Sequence, residues 1–163
     1  DWGVNKISNG GNVSNAWFTL SYDEWYYLLR DRTNAEEKQG VACVNGINGL
    51  VLLPDNWTLP SSVHFTSGFA SNNSYDYFKR VNTYTASEWT LMEEAGAVFL
   101  PAAGDRICAN VYDVGTSGSY WLSTYYSSNS ACGVGFHSGH HSSGISGRNI
   151  ARSVRLCSEI SSK

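Results

Sequence analysis

Residues 40–54 read GVACVNGINGLVLLP. Two apolar runs flank Asn45-Gly46, a pair suited to left-handed backbone, and Pro54 closes the second run. The pattern predicts a β-hairpin with its turn at Asn45-Gly46. On its N-terminal side, SYDEWYYLLRDR (21–32) reads as a helix. Ser21 is a suitable N-cap, Asp23 and Glu24 fall in the first turn, and Glu24 stands at the capping-box spacing. Trp25, Leu28 and Leu29 form its buried stripe at i, i+3, i+4. On the C-terminal side, TASEWTLMEEAG (85–96) predicts a second helix. Thr85 or Ser87 caps it, Trp89 and Met92 face inward, and Gly96 supplies a left-handed stop.

The remaining strand-like stretches are short: WFTLS (17–21), AVFLPAAG (97–104, ending at Pro101), SYWLST (119–124), ACGVGF (131–136) and RSVRLC (152–157). Residues 1–16 read as a turn-rich entry loop. Residues 55–81 hold no clear periodic element and predict a long surface excursion. No βαβ unit is visible, which argues against a parallel doubly wound sheet. The expectation is α+β: two short helices, short and mostly antiparallel strands, and extensive loops in one domain spanning 1–163. LSYDEWYYLL and YTASEWTLME echo each other, but two copies so isolated do not make a solenoid.

Composition narrows the function classes. The chain is 42% hydrophobic and 13% aromatic, which disordered chains are not. Only 15% is charged, against roughly a quarter in ordinary domains, so Ser, Asn, Thr and Tyr carry the surface polarity. A net charge of −3 provides no long-range attraction for nucleic acid or anionic lipid. No apolar run approaches the ~20 residues of a membrane span, so no direct membrane contact is expected. The opening DWGV suggests a mature or excised piece of a longer chain, with any leader or anchor outside it.

Candidate chemical sites are sparse. Cys43, Cys108, Cys132 and Cys157 contain no C-x-x-C pair, and disulfide and free-thiol states are both open. HSGHH brings His137, His140 and His141 close in sequence, but no neighbouring carboxylate orients them, so no metal or other cofactor is expected. Asp55 and Asp76 are single carboxylates serving turns, and would be the first places to look for calcium. There is no G-x-S-x-G nucleophile turn. The expectation is a binding protein, not an enzyme.

WFTLSYDEWYYLL, VNGINGLVLLPDNW, YTASEWTLMEEAGAVFLPAAG, GSYWLST and SVRL together resemble C-type-lectin-like domains of secreted bacterial proteins, notably from gut Bacteroidetes and their phages. These lie in the branch of that fold that includes the formylglycine-generating enzyme. The resemblance runs from about residue 1 to 157. The segment 118–157 also looks like the variable region of proteins diversified by retroelements, which rewrite adenines in AAY codons. Such rewriting never yields Lys, Glu, Gln, Met or Trp, and none of the five occurs from Leu122 to Cys157.

The resemblance implies a frame of fixed residues with exchangeable ones between them. Trp25, Trp89, Tyr120, Trp121, Ser123, Thr124, Ala131, Val134, Phe136, Ser153, Val154, Arg155 and Leu156 read as scaffold. Leu122, Tyr125, Tyr126, Cys132, Gly133, Gly135, His137, Gly139, His140, His141, Ile145, Gly147, Asn149, Ile150 and Arg152 read as the variable, ligand-binding set. Leu122 stands where YWSST is more usual, and Cys132 where relatives often carry Tyr, which argues against Cys132 in a structural bridge. Period-2 geometry places Val134 and Phe136 on one face, and Gly133, Gly135 and His137 on the other. Tyr offers large rigid contact area while Ser, Gly and Asn adapt, the logic of antibody loops.

The implied role is an extracellular display domain, on a bacterial surface lipoprotein or a phage virion. It would bind a protein or glycan on a cell or host surface. The alternatives are a non-diversified carbohydrate-binding module and a cysteine-dependent oxidase of the formylglycine-generating type, for which Cys132 and Cys157 would be the reactive pair.

Overall fold

In the computed structural model, which describes residues 17–71 and 76–158, β1 (Phe18–Thr19) leads into α1 (Tyr22–Tyr26). The expectations for residues 1–16 lie outside the described residues. The predicted capping box is formed: the Glu24 amide donates to Ser21 Oγ (3.3 Å) and the Ser21 amide to Glu24 Oε2 (2.7 Å). Beyond Tyr26 the helix widens into a π turn over Tyr27–Asp31, followed by a 3-10 turn over Ala35–Lys38. Trp25 and Leu29 are buried as the i, i+4 spacing requires.

The hairpin is the centre of the molecule. β2 (Gln39–Val44) and β3 (Ile47–Leu52) pair antiparallel, Val44 opposite Ile47. Asn45 and Gly46 have φ of +48° and +83°, the two left-handed residues of a type I′ turn. After the short α2 (Tyr77–Val81), which no periodicity announced, β4 (Thr83–Tyr84) adds to β2 in parallel. α3 (Ala86–Glu94) carries a second capping box between Thr85 and Glu88 and stops at Gly96, φ +95°. β5 (Val98–Pro101) then pairs antiparallel with β3, completing a four-stranded sheet.

Both faces of that sheet are covered, which is why GVACV and GLVLL are almost continuously apolar. Val41, Leu50, Leu52 and Leu100 face Trp25, Leu29 and Phe78. Ala42, Val44, Val51 and Leu53 face Tyr84 and Met92, with half-buried Trp89 and Phe99 packed alongside. Each large aliphatic side chain buried this way stabilises the fold by roughly 1.5–3 kcal/mol.

The C-terminal third is richer in strands than its polar sequence announced. β6 (Asp105–Ile107) and β7 (Asn110–Tyr112) form a small hairpin. β8 (Ser117–Tyr125), β9 (Ser130–His137) and β10 (His140–Gly147) form an antiparallel sheet in the order β10-β9-β8. β11 (Ile150–Ala151) joins β6, and β12 (Leu156–Cys157) pairs antiparallel with β1. Two expectations change. HHSSGISG is a full strand, β10, where only loop was expected. The strand expected over 152–157 shrinks to β12 plus one parallel bridge from Ser153 to Tyr120. The structure is α+β, with a few short helices and mostly antiparallel sheets.

Candidate ligand-recognition face

The register of β8, β9 and β10 sorts every side chain of the sheet, because residues directly opposite one another share a face. Tyr120 stands opposite Val134, and Gly118 opposite Phe136, which in turn faces His141. Tyr120, Val134 and Phe136 are core residues, Tyr120 and Phe136 stacking at 6.4 Å. The other face carries Ser119, Trp121, Gly133, Gly135, His137, His140, Ser142 and Ser146. A shallow groove of about 260 Å³ runs over it, floored by glycine and serine.

Arg152 crosses this floor. Its guanidinium lies 4.8 Å above the Trp121 ring and donates to Ser146 Oγ (2.6 Å). A Cβ on Gly133 would come within 2.5 Å of Arg152 Nη1, so the glycine is what lets the arginine lie flat. At one end, His137 and His140 close the β9–β10 hairpin with their rings edge-on at 4.1 Å. The Gly139 amide donates to His137 Nδ1 (3.0 Å). Burial and the neighbouring His140 hold the His137 pKa below the usual imidazole range. At the other end, Tyr125 and Tyr126 are exposed, and Arg148 sits 5.3 Å over the Tyr125 ring while donating to Ser127 and Ser130 carbonyls.

Of the expected variable set, Tyr125, Tyr126, His140, Ile145 and Asn149 are exposed, and Gly135, His137, Gly139, His141, Gly147, Ile150 and Arg152 half-buried. Four assignments are corrected. Leu122 (7% exposed) and Cys132 (6%) point into the core, since they share parity with Tyr120 and Val134. Gly133 is buried beneath Arg152. His141 stands on the inner face opposite Phe136, so the three histidines do not converge. Among the scaffold set, Trp25, Tyr120 and Phe136 are core and Trp89 and Leu156 half-buried, but Val154 (38%), Ser123 and Arg155 are exposed and Trp121 belongs to the outer face. Ser119, Ser142, Ser146, Trp121 and Arg148 were missed as surface residues. Strict alternation from Tyr120 and Phe136 would have found most of them.

The other candidate sites are occupied by ordinary structural roles. Asp55 pairs with Lys38 (2.8 Å) and Arg32 (3.5 Å), and Asp76 with Arg80 (3.6 Å). Among the described residues no group of three or more His, Cys, Asp or Glu is placed to hold a metal ion. All four cysteines are free thiols. Cys132 is in the core, and burial pushes the half-buried Cys157 thiol above its ordinary pKa, away from the reactive thiolate.

No family model matches the chain, and comparison with curated proteins and with solved structures finds no similar one.

Proposed function

We propose that the chain is a C-type-lectin-like variable domain whose outer β8–β9–β10 face binds a partner through side chains exchanged by retroelement-driven adenine rewriting. One observation carries this reading. The segment free of Lys, Glu, Gln, Met and Trp begins at Leu122 and supplies six of the eight outer-face residues named above, all but Ser119 and Trp121, over a floor of Gly and Ser. The core beneath is built from Tyr120, Leu122, Cys132, Val134 and Phe136, all five buried in one cluster. Outer groups can therefore be replaced at little folding cost, and the inner ones cannot. Two capped helices and short, mostly antiparallel strands agree with the proposed fold. Display outside the cell, on a surface lipoprotein or a phage virion, follows from the same reading, with a protein or glycan as partner.

The test is the gene's 3′ end across a population. The expected result is a near-copy repeat differing mainly at adenines, a reverse transcriptase gene nearby, and variants that differ at Tyr125, Tyr126, His137, His140 and Asn149. Variation spread equally over Tyr120, Val134 and Phe136, or a single invariant sequence, overturns the proposal.

A further inference from the structure

Beside the recognition face lies a second, larger feature. Tyr26, Arg30, Glu36, Gln39, Phe69 and His141 line a cleft of about 600 Å³ between the π turn, the 3-10 turn, β2 and β10. Only His141, with its neighbour His140, comes from the segment that begins at Leu122. The rest of the wall is built by the first seventy residues.

Three features of this wall ask for a ligand of particular chemistry. Gln39 is 1% exposed, and its Nε2 donates to the carbonyls of Leu29 (2.9 Å) and Ala35 (3.2 Å). Those bonds hold the amide, and its Oε1 is buried with no partner among the described residues. A buried acceptor in that state favours the arrival of an N–H or O–H donor. Second, Arg30 and Glu36 carry opposite charges into the same cleft, yet neither belongs to an ion pair among the described residues. His141 feels both: burial holds its pKa below the usual value, Arg30 and His140 add to that, and Glu36 opposes. Third, the remaining surface is aromatic. Phe69 and His141 pack at 5.6 Å, and Tyr26 lies under Arg30 at 5.8 Å.

We propose that this cleft binds a small zwitterion, an ammonium and a carboxylate joined to an aromatic or aliphatic group, as in a free amino acid or a dipeptide. Arg30 takes the carboxylate, Glu36 takes the ammonium, and the aromatic wall takes the apolar part; a turn of the Gln39 amide, whose Oε1 is buried as it stands, brings that acceptor to the same ammonium. A phosphate-like dianion would meet one cation and be repelled by Glu36. A purely apolar ligand would leave the Gln39 acceptor and both charges unused. The site goes beyond the recognition face: its gripping residues lie outside the exchanged segment, and only His140 and His141 couple the two.

Calorimetric titration of the full chain tests this with L-phenylalanine, the dipeptide Phe-Leu, N-acetyl-L-phenylalanine, L-phenylalaninamide and glucose. The expected result is saturable binding of L-phenylalanine or Phe-Leu, the stronger of the two marking the source, with affinity lowered about tenfold or more when either end is blocked. Arg30→Gln should weaken phenylalanine but not phenylalaninamide, and Glu36→Gln should weaken phenylalanine but not its N-acetyl form. Both side chains are exposed, and unchanged melting curves verify that the variants fold. The proposal is overturned if no unblocked compound binds at about 10 mM, if blocked and unblocked forms bind equally, or if glucose alone binds. A silent titration leaves the population sequencing above intact, and the converse holds, so the two failures are distinguishable.

Discussion

Replacing Leu122 and Tyr125 separately by alanine tests the two-faced sheet directly. Both are on β8, and both lie in the segment free of the five excluded residue types. Leu122 is 7% exposed and packs in the cluster that contains Trp25, Phe78 and Phe136. Truncating a leucine so placed costs about 2–5 kcal/mol, the spread depending on how far the cavity collapses. For a domain of this size each kcal/mol moves Tm by about 2–4 °C, so Leu122→Ala should melt about 4–20 °C lower. Tyr125 is 70% exposed, with the Arg148 guanidinium 5.3 Å from its ring centroid. Its truncation should change stability by no more than about 0.5 kcal/mol, or about 2 °C. Urea titration gives the free energies, and scanning calorimetry the melting temperatures. If Leu122→Ala is neutral, or Tyr125→Ala is as damaging, the assignment of faces from register is wrong, and with it the reason the outer face tolerates exchange.

Other outcomes follow from single contacts. A Cβ on Gly118 would overlap the Phe136 ring, which is itself wedged in the core, so Gly118→Ala should destabilise by about 1–3 kcal/mol in urea titration, whereas Gly144→Ala, with nothing within 4 Å, should be close to neutral. The carboxyls of Glu24 and Glu88 are held below the usual carboxylate range by the backbone amides and hydroxyls of Ser21 and Thr85. Their folded-state pKa values are depressed, so the stability they contribute is present above about pH 4.5 and lost as pH falls through the lowered values. A Glu24→Ala, Glu88→Ala double variant should melt below the parent at pH 7, and the gap should close in acid; a gap of constant size at pH 3 refutes the caps. In proton NMR titration, His137 and His141 should both protonate below about pH 6.5, and a midpoint at or above that value for His141 would contradict its burial.

Local chemistry made some elements legible and hid others. Asn45-Gly46 demands a left-handed pair, and Ser21 with Glu24 and Thr85 with Glu88 can satisfy one another's backbone, so hairpin and helix starts were readable residue by residue. β10 was not, because HHSSGISG alternates nothing apolar; it is a strand by virtue of its neighbour β9, with Ser143 opposite Val134 and Ile145 opposite Cys132. β6 and β7, three residues each, fall below any period. Leu122 and Cys132 were misplaced for a different reason. Their identities differ from the related pattern, and that difference was read as exposure, although two-residue periodicity from Tyr120 and Val134 already placed both inside. The cleft around Gln39 was invisible in sequence, since it is assembled from four separated segments and its decisive feature is a hydrogen bond left unmade.

β10 is the outermost strand of its sheet, and that position has a further consequence. Strands so situated usually escape sticking to a neighbouring molecule by carrying lysine or an inward-pointing charge. On the proposed mode of exchange neither lysine nor glutamate can ever be written there. Aspartate, arginine and proline stay available as guards, but none stands in 140–147 here; with glycine at 144 and 147 and serine at 142, 143 and 146, the strand instead makes a poor template for an added one. Variants enriched in Val, Ile, Phe and Tyr along 140–147 should be the ones that aggregate, so survival in solution, and not only affinity, would filter the repertoire.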